Sequence, residues 1–382
     1  MKRREFLVQA GMASAGLASA EWMLGGTKSV WAAEAASARI AADATKWRTF
    51  ELTTKIEVLK PVGVTRIWVP APLLNDTVYQ KTLGNMFAVG DGGTAKLMAP
   101  FPAETGGDMV GMIAAEFPEG VKPSLTVTSR VSTRNVDADL AGTRAHSSTR
   151  LSKAEQEHFL RPTKLIPTDG IVKSTAAQIT ANAKTDVDKA RAIYEWIVDN
   201  TFRNPKTRGC GVGDIRFMLE SKDLSGKCAD LNALFVGLAR ASGLPARDVY
   251  GIRVAKSELG YKSLGANTEV VTKSQHCRAE VYLTGHGWTP VDPADVRKVV
   301  LEEPPGNRPL GDDMVKAARA RLFGSWEMNW MAYNFAHDVE LPGSNGKPLG
   351  FLMYPQAETA EGRLDSLDPD NFKYSITSAE MV

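Results

Sequence analysis

The chain has 382 residues, of which 43% are apolar and 24% are charged, so it can fold into two or three globular domains. The 46 lysines and arginines, against 44 acidic residues, give a net charge of +2, which argues against a nucleic-acid-binding surface. Three cysteines without a Cys-x-x-Cys pair exclude a disulfide-rich scaffold and a zinc ribbon. The composition therefore indicates a globular enzyme or binding module.

The first 38 residues have the three parts of an export signal. Arg3 and Arg4 precede a phenylalanine and a leucine, a weakly apolar stretch follows, and alanines crowd its far end. This order resembles a bacterial twin-arginine (Tat) signal peptide, which implies the Tat translocase as a partner, cleavage, and a periplasmic location. Glu21 interrupts the apolar stretch, so we expect no stable membrane anchor. The alternative is an amphipathic N-terminal helix of a cytoplasmic protein.

Apolar and polar residues alternate from Thr49 onwards, which predicts β-strands. Further strands are expected around residues 67–69, 109–117 and 125–131, where glycine- and proline-containing turns separate similar patterns. Short strands of this kind predict an antiparallel β-sandwich domain over residues 46–140. No motif in this part carries chemistry, so its expected role is to support the rest or to present a substrate.

The composition shifts toward helix-forming residues after Asp137, and helices are predicted over 153–160, 171–183 and 186–200. The next part carries the motifs described below, so residues 150–300 are assigned as the catalytic core. The aromatic-rich residues 301–382 are predicted to be an extension that completes this core.

One cysteine lies at the predicted start of a helix. Cys228 precedes apolar residues at helical spacing, Gly243 and Pro245 end the pattern, and Asp223 or Ser225 is the expected N-cap. The positive end of the helix dipole favours the thiolate, which is the form that attacks a carbonyl. The backbone N–H groups there could also hold an oxyanion. Cys228 is therefore the candidate nucleophile.

A candidate base and its orienting carboxylate follow in a predicted hairpin. His276 begins a strand in which it shares one face with Arg278, and a glycine-rich turn leads to a second strand that ends at Asp292. His276 and Asp292 lie on the same face of the hairpin if the numbers of its paired residues add up to an even sum. The sequence does not decide this register. The order Cys, His, Asp is that of a nucleophile, a base and an orienting group.

These residues also resemble a known family. The motifs are Gly226-Lys227-Cys228, Gly243-Leu244-Pro245-Ala246-Arg247, His276 with Glu280-Val281-Tyr282, and Gly287-Trp288 with Val291-Asp292-Pro293. They are similar to the bacterial transglutaminase-like core over residues 185–300. The resemblance implies a papain-like fold with a catalytic triad of Cys228, His276 and Asp292. Many members have an aromatic residue where this chain has Arg278, a departure that concerns the shape of the groove.

The resulting fold class is α+β, with a helix that carries the cysteine packed on an antiparallel sheet that carries the histidine and the aspartate. Asp295 is a rival to Asp292, which is preferred because it matches the family pattern. Cys277 is expected in the apolar core, and Cys210 lies in a glycine-rich loop that could lie near the groove. The cysteine and histidine spacings match no metal site, and no cofactor is expected.

The favoured hypothesis is an exported cysteine enzyme acting on a protein, peptide or peptidoglycan-type amide through a thioester. The acyl group then passes to water, as in a peptidase or deamidase, or to an amine, as in a transglutaminase. The alternative is an inactive transglutaminase fold that serves as a periplasmic binding or scaffold module. A calcium-dependent cross-linker is a third possibility, but it requires metal loops that the sequence lacks.

Overall fold

The computed structural model describes residues 46–98, 110–140 and 150–381. The predicted signal peptide, residues 1–38, lies outside these ranges. Within them, no helix combines the length and the apolar character needed to cross a membrane.

The described residues form antiparallel sheets flanked by helices. The strands are β1 (Arg48–Val58), β2 (Thr65–Pro70), β3 (Gln80–Val89), β4 (Thr94–Met98), β5 (Met112–Phe117), β6 (Ser124–Thr133), β7 (Val136–Asp137), β8 (Phe202–Arg203), β9 (Ser225–Gly226), β10 (Ala246–Arg253), β11 (Gln275–Leu283), β12 (Gly287–Val291), β13 (Ser325–Trp326), β14 (Trp330–Asn334), β15 (Gln356–Thr359), β16 (Gly362–Arg363) and β17 (Phe372–Met381). The helices are α1 (Lys153–Leu160), α2 (Gly170–Ile179), α3 (Asp186–Asn200), α4 (Ile215–Ser221), α5 (Cys228–Ala241), α6 (Pro293–Glu302) and α7 (Asp313–Arg321). The predicted α+β fold class is confirmed.

Two antiparallel sheets pack face to face around the N-terminal strands. One has the order β17-β1-β6-β3 and the other β16-β15-β2-β5-β4. The alternating apolar residues of both sheets meet in one buried cluster, which includes Ile56, Ile67, Phe117 and Val127. Burying these inward faces, with polar residues left outside, accounts for the period-two pattern of the sequence.

The C-terminal residues do not all belong to the catalytic core. Only β14 joins the sheet of that core, whereas β15 pairs with β2 and β17 pairs with β1 over its whole length. The assignment of residues 301–382 as an extension of the core is therefore corrected. Without β17, strand β1 would be a long exposed sheet edge, and covering such an edge removes unpaired backbone groups.

The second part of the fold brings a helix and a sheet together. The sheet has the order β12-β11-β10-β14, and α5 packs against β11. Apart from its polar first turn, α5 is apolar on nearly every side, and it is buried along almost its whole length. A helix of this kind belongs in the centre of a core. Cys228 at its start is thereby placed next to the strand that carries His276.

The helices α1 and α3 have the predicted bounds, whereas α2 ends at Ile179, four residues before the predicted end. Both α1 and α3 begin with a capping box, in which Ser152 or Thr185 exchanges hydrogen bonds with the acidic residue three positions on. These local signals account for their sharp starts.

Candidate active site

Cys228, the candidate nucleophile, is the first residue of α5. The N-cap is Lys227, whose backbone N–H donates to Asp230 Oδ2 at 2.9 Å, so the predicted caps Asp223 and Ser225 are wrong. The N–H of Ala229 donates to the carbonyl oxygen of Cys210 at 2.9 Å. The first N–H groups of a helix have no acceptor within the helix. The N–H of Cys228 is therefore a candidate donor to a developing oxyanion.

The carboxylate of Asp230 holds the glycine-rich loop against this helix start. Its Oδ1 accepts the N–H groups of Val212 and Gly213, each at 2.9 Å. Gly211 has a φ of +99°, and a Cβ there would lie 1.9 Å from Asp230 Oδ2. A side chain at Gly211 would therefore collide with the carboxylate that organises the loop and the start of α5.

The hairpin brings the candidate base and carboxylate together. Ala279 pairs with Val291, so residues of equal parity lie on the same face of β11 and β12, and this register is the one that the site requires. His276 Nε2 lies 2.7 Å from Asp292 Oδ2, and both side chains are buried. Since Nε2 contacts the carboxylate, Nδ1 is the ring nitrogen left to serve the thiol.

Asp295 also contacts the histidine, though at a greater distance. Its Oδ1 lies 3.4 Å from His276 Nε2, and it is 2.6 Å from a guanidinium nitrogen of Arg253. Although burial opposes its ionisation, Arg253 and His276 hold the pKa of Asp295 well below its usual range. Burial and the negative Asp295 raise the pKa of Asp292. Asp292 is therefore the nearer carboxylate to the imidazole of His276, and Asp295 adds a second negative charge close to the same ring nitrogen.

Two residues that sequence reasoning missed hold Asp292 in place. Asn232, one helical turn after Cys228, donates from Nδ2 to Asp292 Oδ1 at 3.2 Å and to the carbonyl of Cys277 at 2.8 Å. The Nε of Arg278 lies 3.6 Å from Asp292 Oδ2. The spacing of these residues in the sequence could have indicated their role. Asn232 follows Cys228 by four positions, which is one helical turn, and Arg278 shares the strand face of His276.

Arg278, the departure from the family pattern, is buried rather than open to the groove. Its guanidinium lies 4.7 Å from the ring centre of Trp330 and donates to the carbonyl of Glu327. Burial lowers the pKa of Arg278 to about 10. Where many family members have an aromatic side chain, this chain therefore has the cation of Arg278, which stacks on the ring of Trp330 beside the carboxylate of Asp292.

The charges around the site favour a thiolate and an imidazolium. The thiols of Cys210 and Cys277, and then the imidazole of His276, lower the pKa of Cys228 well below its usual value, despite its burial. Burial and the cation of Arg253 disfavour protonation of His276, but Asp295 and Asp292 outweigh them and raise its pKa to about 9. At neutral pH the pair is therefore poised as an ion pair, which is the reactive form of a cysteine nucleophile.

All three cysteines lie at this site. Cys277 is fully buried in the apolar core, as its place in the strand pattern predicts. Cys210 is 7% exposed and lines the cavity, and its one thiol proton can go to the carbonyl oxygen of Gln275, 3.3 Å away, or to the sulfur of Cys228. The expectation that Cys210 could lie near the groove is therefore met.

His276, Asp292 and Asp295 could offer ligand atoms to a metal ion, because one atom of each lies within 4.8 Å of the others. However, the cations of Arg253 and Arg278 already neighbour the two carboxylates. The group is better described as an ionic network around the imidazole, in which each carboxylate has a positive partner.

A cavity of about 690 Å³ opens beside these residues, and both Cys228 and His276 line it. Phe372 and Tyr374 of β17 also line it. The strand that completes the sandwich therefore also forms part of the candidate substrate site.

The fold is thus a mixed α+β structure, with a cysteine on a helix start and a histidine and an aspartate on the adjoining sheet. Residues 173–293 match the model of the Transglutaminase-like superfamily. Residues 173–293 therefore form a transglutaminase-like domain, and the resemblance recognised in the sequence motifs is confirmed for this segment.

Three bacterial proteins illustrate what the chain is similar to. An uncharacterized protein of Haemophilus influenzae is 41% identical over 234 residues, which cover 59% of this chain and 63% of that protein, so the chain spans less than two thirds of its relative. A structure from Cytophaga hutchinsonii, described as a candidate cysteine protease, is 17% identical with a TM-score of 0.48, covering 87% of this chain and 98% of the other. The periplasmic domain of TgpA from Pseudomonas aeruginosa, bound to ethylmercury, is 16% identical with a TM-score of 0.33, covering 67% and 93%.

Proposed function

We propose that this protein is a cysteine enzyme that cleaves amide bonds through a thioester on Cys228. The observation that carries the proposal is the buried contact of 2.7 Å between His276 Nε2 and Asp292 Oδ2, at the wall of the cavity that Cys228 also lines. A scaffold module would have no need of a thiol with a lowered pKa beside a paired imidazole.

In the first step, the sulfur of Cys228 attacks the carbonyl carbon of the amide. The oxyanion accepts the N–H of Cys228, and the buried Nε2 of Gln275, which has no hydrogen-bond partner among the described residues, is a candidate second donor. His276 gives its proton to the amide nitrogen, the C–N bond breaks, and the amine leaves. Asp292 keeps the imidazole oriented throughout.

In the second step, the neutral His276 takes a proton from the acceptor, which attacks the thioester carbonyl and releases Cys228. With water the product is a carboxylic acid, and with an amine it is a new amide. We favour water, because a cavity of about 690 Å³ lined by many polar groups leaves room for it beside His276. The substrate class is then a peptide or a peptidoglycan-type amide, met in the periplasm after Tat export.

The test compares single variants of the full chain on peptide mixtures and on purified peptidoglycan, with released amine and acyl-enzyme mass as readouts. Cys228→Ala should reduce turnover to less than about one tenth and abolish the mass adduct, with little loss of stability, because one sulfur at a helix start contributes little to packing. A fluorescent primary amine added to the reaction distinguishes transfer from hydrolysis.

The two aspartates give a matched pair of variants for the same test. Asp292→Asn should lower kcat about 100-fold or more, because it removes the partner that orients His276. Asp295→Asn should lower kcat less, since Asp295 lies farther from the imidazole, at 3.4 Å. If Asp295→Asn were the more damaging variant per folded molecule, Asp295 would replace Asp292 in the triad. If Cys228→Ala kept its activity, or no amide formed an adduct, the scaffold alternative would be preferred.

A further inference from the structure

The cavity beside Cys228 has a lining of one sign of charge. Among the described residues, the lining has no aspartate or glutamate and six lysines and arginines, namely Arg203, Arg208, Lys227, Arg253, Lys273 and Lys298. The chain as a whole is nearly neutral, at +2, so this concentration is a local property of the cavity. A cleft lined by one sign of charge concentrates ligands of the opposite sign.

Two of these lysines have no carboxylate partner. Among the described residues, neither Lys227 nor Lys273 forms an ion pair. Lys227 directly precedes the candidate nucleophile Cys228, and Lys273 lies three residues before His276. Both ammonium groups are therefore available to a ligand that reaches the reacting atoms.

The three arginines are paired, but with carboxylates that do not line the cavity. Arg208 lies 2.5 Å from Asp365, Arg253 lies 2.6 Å from Asp295, and Arg203 is paired with Glu302. These carboxylates fix the positions of the arginines but do not line the cavity. The surface that a ligand contacts therefore remains cationic.

Lys298 is a partly buried lysine of this set. Its side chain is 18% exposed, and its Nζ lies 3.8 Å from Glu302 Oε2, a carboxylate that also pairs with Arg203. Burial, followed by the like charge of Arg253, lowers the pKa of Lys298 to about 8. An anion bound in the cavity would stabilise the charged form of Lys298, because this ammonium is partly desolvated and shares the carboxylate of Glu302 with Arg203.

We propose that the substrate carries a carboxylate close to the scissile amide, and that Lys298, together with Lys273 and Lys227, binds it. This inference rests on the function proposed above. Because Cys228 and His276 line the same cavity, the carboxylate lies within a few residues of the amide that is cleaved. Acidic peptides of proteins and peptidoglycan stem peptides share this chemistry, and the binding experiment below separates them.

The first test measures the charge of the cavity without a substrate. Iodoacetate and iodoacetamide are allowed to react with Cys228 of the full chain, and the ratio of their rates is compared between variants. Lys298→Gln should lower the iodoacetate-to-iodoacetamide ratio about threefold, because one nearby cation is lost. Lys153→Gln is the matched control, since Lys153 also lies 3.8 Å from a glutamate four residues on, but is 89% exposed and outside the cavity lining. An unchanged ratio in Lys298→Gln would overturn the proposal.

The second test measures binding on the Cys228→Ala chain, so that no turnover is needed. Fluorescein-labelled heptapeptides of alanine and glycine carry either Glu or Gln at the central position. The Glu peptide should bind about tenfold more tightly, as expected of a charge-assisted contact. Lys298→Gln in this background should abolish the preference, and Lys153→Gln should keep it. Equal affinity for the two peptides, or binding of neither, would overturn the proposal.

Unlabelled competitors identify the source of the carboxylate. A stem peptide purified from peptidoglycan and an acidic peptide of protein origin are each titrated against the bound Glu peptide. The peptide that competes more tightly identifies the natural class of substrate. Tighter competition by either peptide supports an anionic substrate. Failure of the proposed function is seen separately, as an absence of Cys228-dependent turnover despite a preserved binding preference.

Discussion

Three thiols lie close together at the candidate site, and their surroundings affect their pKa values differently. The neighbouring thiols and His276 lower the pKa of Cys228. The hydrogen bond to Cys228 and burial raise the pKa of Cys210, and burial raises that of Cys277. A thiolate at Cys228 therefore excludes a second thiolate beside it, because two adjacent negative charges repel each other.

Iodoacetamide at neutral pH should therefore modify Cys228 first, with Cys210 and Cys277 both slow. From the glycine-rich loop alone Cys210 is expected to react at an intermediate rate, but its burial and its contact with Cys228 argue for a slow one. His276→Ala should shift the labelling of Cys228 to higher pH, since it removes the cation that stabilises the thiolate. Peptide mapping of the labelled sites over pH 4–10 checks this, and a fastest reaction at Cys277 would contradict it.

Turnover and labelling should respond differently to alkaline pH. The pKa of His276 is raised to about 9, so the imidazolium that protonates the leaving amine is present below that pH and lost as the pH rises through it. The thiolate of Cys228, with its lowered pKa, persists there. Turnover should therefore decline above about pH 9 while alkylation of Cys228 continues, and a parallel decline of both would contradict the assigned roles.

At the scale of elements, the junction of the glycine-rich loop with α5 decides where the nucleophile lies. The carboxylate of Asp230 accepts N–H groups from both the loop and the N-cap, and Cys210 accepts the N–H of Ala229 in return. The loop and the helix start therefore hold each other, and a change in one moves the other.

Gly211→Ala tests this coupling. The added Cβ would lie 1.9 Å from Asp230 Oδ2, so the carboxylate must move and release the N–H groups it accepts. We expect a loss of stability of about 2 kcal/mol or more, together with a loss of activity per folded molecule. The control is Gly120→Ala, at a φ of +86° with nothing within 4 Å of the added Cβ, where only the backbone strain of about 1 kcal/mol applies. Urea unfolding and turnover measure both, and equal effects at the two glycines would contradict the coupling.

For the whole molecule, the first and the last of the described strands pair in one sheet. Strand β17 pairs with β1 and contributes Phe372 and Tyr374 to the cavity, so the last strand links the sandwich to the candidate active site. Removing β17 would expose the edge of β1 and open one wall of the cavity together.

Export is a property of the whole chain and is tested as such. Replacing both Arg3 and Arg4 by lysine should leave the protein in the cytoplasm, because Tat recognition depends on the arginine pair. Cell fractionation measures the distribution, with Lys28→Arg as a control of nearly equal charge within the same segment. Normal periplasmic appearance of the double variant would contradict the Tat prediction.

The sequence by itself determined the features that depend on neighbouring residues. The bounds of α1 and α3 follow from their capping boxes and apolar spacing, and Cys228, His276 and Asp292 stand in motifs that resemble the family. Short-range signals of this kind are complete within a few residues, so they can be interpreted without knowing what packs against them.

Only the tertiary structure decided the rest. The pairing of β17 with β1, the closer approach of Asp292 than Asp295 to the imidazole, and the cationic lining of the cavity each join residues far apart in the chain. Register and charge clustering depend on which surfaces meet, and many pairings satisfy the same period-two pattern. The sequence therefore named the candidate nucleophile, whereas the fold determined the charges around it, because those charges come from strands, loops and helices that only long-range packing brings together.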